Sequence, residues 1–136
     1  MLLRTGRLLL LCFLPMMAIA CFLTGKTLVD SNASAHVWRD MDADGKMDPK
    51  DIPIGGIEVC ATTNPKSDKK SDADYCYFSD NNGDVPSRNE VRGMFFAGAN
   101  CQDIYIFIVL PEKYVLSTPG KVNGCNASFG LIPAEP

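Results

Sequence analysis

Residues 37–62 read VWRDMDADGKMDPKDIPIGGIEVCAT, and this stretch decides the fold. It opens on Val37-Trp38 and closes within the alternating, β-branched run that goes from Ile57 to Thr63. β-Branched and aromatic residues suit a pleated, half-buried strand. Between the two runs lies a loop dense in aspartate, followed by Ile52-Pro53-Ile54-Gly55-Gly56, which no helix continues through. The reading is strand, acidic loop, strand, with no helix on either side.

The loop itself, residues 40–51, is D-M-D-A-D-G-K-M-D-P-K-D. Counted from its first residue, Asp40, Asp42 and Asp44 stand at positions 1, 3 and 5, Gly45 at 6, Lys46 at 7, Asp48 at 9 and Asp51 at 12. That is the ligand schedule of an EF-hand-type calcium loop, with Asp in place of Glu at the last position. Lys46 needs only its backbone carbonyl there, and the glycine permits the sharp turn. Calcium is a hard cation that takes 6–8 oxygens, and alternate residues of a tight loop aim their carboxylates at one centre. Carboxylates this crowded repel one another unless a cation sits among them. The expected cofactor is therefore calcium, bound by Asp40, Asp42, Asp44, Lys46, Asp48 and Asp51. Magnesium ranks second, because it demands stricter octahedral geometry. An EF-hand or a dockerin is not expected, since the flanks lack helical pattern.

Outward from the loop, short apolar runs alternate with turn signals, the pattern of a β-sandwich or barrel. The sequence predicts strands over residues 35–39, 57–63, 74–79, 91–96, 103–110, 114–118 and 127–132. Residues 64–73 (NPKSDKKSDA) read as a polar surface loop, and Asp80-Asn81-Asn82-Gly83 as a turn. Residues 103–110 (DIYIFIVL) are apolar at nearly every position, which predicts burial on both faces at the centre of the sandwich. The expected fold is all-β, a Greek-key sandwich of about seven short strands, with the calcium loop between the first two.

Toward the N-terminus the pattern changes. Arg4 and Arg7 precede an apolar stretch, and Ala18-Ile19-Ala20 ends it with small residues. Residues 1–20 read as a secretory signal peptide. Cys21 follows directly, and Ala18-Ile19-Ala20-Cys21 resembles a bacterial lipobox, so Cys21 is the expected lipidation site and mature N-terminus. A lipid there would hold the chain on a membrane. Residues 21–34 read as a tether, and residues 35–136 as the domain. Past residue 21 the cysteines are Cys60, Cys76, Cys101 and Cys125, an even set suited to two disulfides in an oxidising compartment. Four cysteines allow three pairings. Cys60–Cys76 and Cys101–Cys125 are preferred because each closes a short loop between neighbouring strands, and the other two pairings stay open.

The chain of 136 residues has a formal net charge of −3. It shows no basic stripe interleaved with aromatics, so nucleic acid is not an expected partner. His36 is the sole histidine, read as a solvent-facing strand residue, and no second histidine supports Ser-His or Cys-His catalysis. No enzyme activity is expected. Trp38, the sole tryptophan, is expected to pack beside the acidic loop, with a sugar-stacking platform as the sharper alternative.

Residues 37–62 also resemble the opening of the SdrD B-like (Cna B-type, prealbumin-like) domain of bacterial surface proteins. That opening reads roughly VW-x-D-x-[ND]-x-DG-x-x-D-x-x-E-x-G-I-x-G-V-x-V. Val37-Trp38, Asp40, Asp42, Asp44-Gly45, Asp48, Ile54, Gly56 and Val59 fall in step with it. Asp51, Pro53 and Ile57 stand where the family has Glu, Gly and Val. Leu110-Pro111-Glu112-Lys113-Tyr114 with Thr118-Pro119, and Ser128-Phe129-Gly130-Leu131, are similar to later family signatures. The resemblance implies a calcium-clamped surface module with a structural, spacer or adhesion role and a host, matrix or cell-wall ligand. The alternative is a carbohydrate- or protein-binding domain of a surface lipoprotein.

Overall fold

A computed structural model describes residues 29–135 of the chain; the expected signal peptide and Cys21 lie outside the described residues. Among the described residues, ten strands form two sheets. They are β1 (Ser31–Arg39), β2 (Ile52–Pro53), β3 (Glu58–Thr62), β4 (Tyr75–Phe78), β5 (Asp84–Val85), β6 (Met94–Phe96), β7 (Tyr105–Val109), β8 (Tyr114–Leu116), β9 (Lys121–Asn123) and β10 (Asn126–Pro133). One sheet runs β2-β1-β10-β8, with β5 and β6 also on β1, and the other runs β4-β3-β7-β9. The two face each other as a sandwich. β1 and β10, the ends of the domain, pair in parallel, while every other pairing is antiparallel.

β1 organises the first sheet. One of its edges carries β10 from Ser34 to Arg39. The other is served in turn by β6 at Ser31–Ala33, β5 at Ala35–His36 and β2 at Trp38–Arg39. Its alternation places Ala33, Ala35 and Val37 in the inter-sheet core with Ala127, Phe129 and Leu131 of β10, against Val59, Ala61, Ile106 and Ile108 of the other sheet. Period-two alternation is what a sheet buried on one face requires.

Three expectations change. The tether does not run to residue 34: the strand expected at Ala35 begins at Ser31, because small side chains at Ser31 and Ala33 fit the core end without an apolar signature. The strand expected from Val91 is confined to Met94–Phe96, and Val91 is fully in solvent. β2, β5 and β9 add to the expected seven, and each is two or three residues long.

β7 is buried on both faces, as expected. Ile106 and Ile108 face the core, while Phe107 on the opposite face is only 3% exposed. The polar loop of residues 64–73 runs along this face, mostly exposed as expected, with Ser67 buried. Lys121, opposite Phe107 on β9, donates from Nζ to the carbonyls of Pro65 (2.8 Å) and Ser67 (2.5 Å). Lys70 pairs with Glu58 at 2.6 Å. Residues 63–74 therefore form a strap across the outside of the second sheet.

The disulfides are Cys60–Cys76 and Cys101–Cys125, the preferred pairing. Cys60 and Cys76 stand directly opposite each other on β3 and β4, beside Phe107. Cys101–Cys125 ties the turn before β7 to the start of β10. They close 16- and 24-residue separations, and restricting the unfolded chain this way contributes about 3 kcal/mol each.

Candidate metal centre

The acidic loop leaves β1 at Arg39 and re-enters the sheet at β2. Its first residue is still part of the sheet: the Asp40 amide donates to the Leu131 carbonyl at 2.9 Å, continuing the β1–β10 ladder by one rung. Asp40 is consequently buried, 3% exposed. Its Oδ2 accepts the Gly45 amide at 2.8 Å. Its Oδ1 is buried and has no hydrogen-bond partner.

Two residues bend the loop around this carboxylate. Ala43 (φ 60°) and Gly45 (φ 72°) are both left-handed. For Ala43 this is unfavourable by roughly 1 kcal/mol, and a residue holds such a backbone only where its surroundings dictate it. Gly45 has no alternative: a Cβ there would stand 2.8 Å from the Ser117 carbonyl oxygen. The bend carries Asp42 and Asp44 back toward Asp40, so that a carboxylate oxygen from each of the three lies within 4.8 Å of the others.

Of the other predicted acids, Asp48 and Asp51 are not in that group. Asp51 closes the loop. Its Oδ1 accepts the Met41 amide (3.0 Å) and its Oδ2 the Asp48 amide (2.7 Å), tying the first turn to the last. Asp48 Oδ1 accepts the Lys50 amide at 2.7 Å, and Asp44 Oδ1 accepts the Lys46 amide at 2.8 Å, so each aspartate fixes its own local turn. Lys50 reaches over the acids, with Nζ 3.5 Å from Asp42 Oδ2 and 3.9 Å from Asp48 Oδ2. It is well exposed, so that contact is weak and displaceable.

Burial works to raise the pKa of Asp40, but the nearby Ser117 hydroxyl and the amides of Gly45, Ala43 and Asp44 outweigh it and hold the carboxyl below its ordinary value, although of these only the Gly45 amide is in hydrogen-bonding geometry with it. Asp40 is thus a buried carboxylate with one oxygen lacking a partner, beside two exposed carboxylates. Buried charge of this kind is stable only when paired or coordinated. An all-oxygen cluster of this charge can hold a hard divalent cation.

Trp38 packs next to the loop, as expected, but not in the inter-sheet core. It lies on the outer face of the first sheet, 1% exposed, with Nε1 donating to Ser128 Oγ at 2.8 Å. Gly130 makes room for it: a Cβ there would stand 2.7 Å from Trp38 Cη2. This buried position removes the sugar-platform alternative for Trp38. His36 does not face solvent freely either. Its Nδ1 lies 3.0 Å from Asp84 Oδ1 on β5, whose Oδ2 accepts from Arg88 Nε at 2.8 Å.

Reading the motif did not find Ser117 or Gly130. Both come from the far end of the chain and reach the loop only because β8 and β10 pair beside β1; no spacing rule links them to Asp40. No family model matches this chain, and no curated protein matches it.

Proposed function

We propose that the chain is an exported, calcium-stiffened β-sandwich module with a structural, spacer or adhesion role at the cell surface, held at a membrane by lipid on Cys21. The observation that carries this reading is the Asp40 carboxylate, buried with Oδ1 unpartnered beside Asp42 and Asp44. Calcium suits an irregular loop of carboxylates and carbonyls better than magnesium does. With a cation bound, the loop stiffens from a strand connection into a rigid cap on the β1–β2 end. Two disulfides support an oxidising, extracytoplasmic location. The N-terminal signal and the resemblance of residues 37–62 to surface-protein domains point the same way.

The test is the thermal midpoint of the oxidised protein in millimolar calcium and in chelator. A ligand that binds only the folded state at a hundred times its dissociation constant adds about 2.7 kcal/mol, or roughly 10–20 °C for a domain of this size. The expected result is a rise of that order with calcium, a smaller one with magnesium, and none after Asp42→Asn with Asp44→Asn. An unchanged midpoint in wild-type protein would remove the calcium reading.

A further inference from the structure

Two buried oxygens at this end of the domain lack hydrogen-bond partners: Asp40 Oδ1 and Ser117 Oγ. They belong to strands on opposite sides of β10. The Asp40 amide is pinned to the Leu131 carbonyl, and the Ser117 amide to the adjacent Gly130 carbonyl (3.0 Å). Between them Gly130 presents no side chain; a Cβ there would collide with Ser117 Oγ and with the Trp38 ring. From the other side, the Ser117 carbonyl touches the backbone of Gly45 so closely that no Cβ fits. Ser117 is therefore wedged between the acidic loop and β10, with its hydroxyl over the gap at Gly130.

We propose that Ser117 is a positioning residue of the cation site, its hydroxyl donating to the Asp40 carboxylate across Gly130 and so orienting the loop's first ligand. The inference rests on reading the acidic loop as a cation site. The chemistry of the pair is complementary: an ionised carboxylate only accepts, and a serine hydroxyl has one proton to give and rotates freely. The division of labour follows. Gly45 N–H holds Oδ2, Ser117 O–H steadies the carboxylate from the β8 side, and the cation takes a remaining lone pair. Partners that orient a ligand in this way commonly govern metal affinity. A site built so reads the pairing of β8 with β10, not the loop alone, which ties cation binding to the closing of the domain's C-terminal strands.

The experiment is calcium titration by calorimetry on the full chain, expressed with its export segment and purified oxidised, for wild type, Ser117→Ala and Ser117→Thr, with each thermal midpoint also taken in chelator. The expected result is a calcium affinity about tenfold or more weaker in Ser117→Ala, near wild type in Ser117→Thr, and chelator midpoints that barely differ. Equal affinity in wild type and Ser117→Ala overturns the proposal while leaving the calcium site intact. So does a fall in chelator midpoint with unchanged affinity, which marks a structural role alone. A threonine variant as weak as the alanine one overturns it as well, because the hydroxyl is then not what matters. Absence of calcium binding in wild type instead overturns the cation site itself, and this inference with it.

Discussion

The ring of Trp38 lies against the bare Cα of Gly130: a methyl group there would stand 2.7 Å from Cη2 and 2.9 Å from Cζ2. The two residues face each other in register across the parallel β1–β10 pair. Their contact forms a small second core on the outer face of the first sheet, beside the acidic loop. Gly130→Ala is expected to destabilise the domain by about 1–3 kcal/mol through overpacking. The urea midpoint measures this, and the Trp38 emission should shift to the red as the ring is pushed outward. An unchanged midpoint would mean that the ring moves aside freely.

The five aspartates of the loop divide into two kinds, and stability without cation should separate them. Asp42 and Asp44 are exposed and carry the convergent oxygens, so neutralising them relieves repulsion. Asp42→Asn with Asp44→Asn is expected to leave the chelator midpoint unchanged or slightly raised, and to abolish the calcium response. Asp51 instead accepts two loop amides. Asp51→Ala should lower the chelator midpoint, by an amount corresponding to about 1–3 kcal/mol for amides left without a charged acceptor. If both variants behave alike in chelator, Asp51 does not close the loop as described.

Acid should reveal the clamp between β1 and β5. His36, first, and then Arg88 hold the Asp84 carboxyl below its ordinary value of 3.8. A carboxyl whose pKa is depressed by folding stabilises the native state above its unfolded value, and that contribution fades as pH falls through the folded value. In chelator, wild type is therefore expected to exceed Asp84→Asn by about 1 kcal/mol at pH 6, the pair being partly exposed. The gap should close below pH 4. Urea unfolding of both proteins across that range decides it; a gap constant with pH would place the effect of Asp84 in something other than its charge.

What the sequence made legible follows from how locally each feature is encoded. The acidic loop, β3, β7 and β10 are continuous runs whose residue types suffice to call them. Ser31–Ser34 joins β1 through small residues that carry no hydrophobic period. β2, β5 and β9 are too short for any period, and exist because β1 and β7 offer them an edge. The candidate site divides the same way. Asp40, Asp42 and Asp44 are set by spacing within one loop. That Asp40 alone among them is buried, and that Ser117 stands against it, depends on the parallel closure of β1 on β10, which no local pattern announces. Residues 64–73 read as a polar surface loop by composition and are mostly exposed, but composition does not show that Lys121, far along the chain, and Lys70 tie the loop down. Their ammonium groups bind the strap to the sheet.

The Lys121 ammonium serves the Pro65 and Ser67 carbonyls at once, and Ser67 is 2% exposed, so removing the donor leaves the Ser67 carbonyl without this partner in a buried place. Lys121→Met keeps the apolar stem and deletes the charge. The loss of a charged hydrogen bond, about 1.5–3 kcal/mol, should increase opening of the strap roughly ten- to a hundredfold. Cys60, fully buried, stands in register with Phe107, which in turn stands opposite Lys121. Under native conditions with dithiothreitol, Cys60–Cys76 should therefore be reduced at least several-fold faster in Lys121→Met than in wild type. Cys101–Cys125, whose Cys101 is already exposed, should keep its rate and serve as the internal reference. Lys70→Gln should change little, because Lys70 is itself exposed in its pair with Glu58. Equal acceleration of both disulfides in Lys121→Met would point to global destabilisation and against a strap that opens by itself.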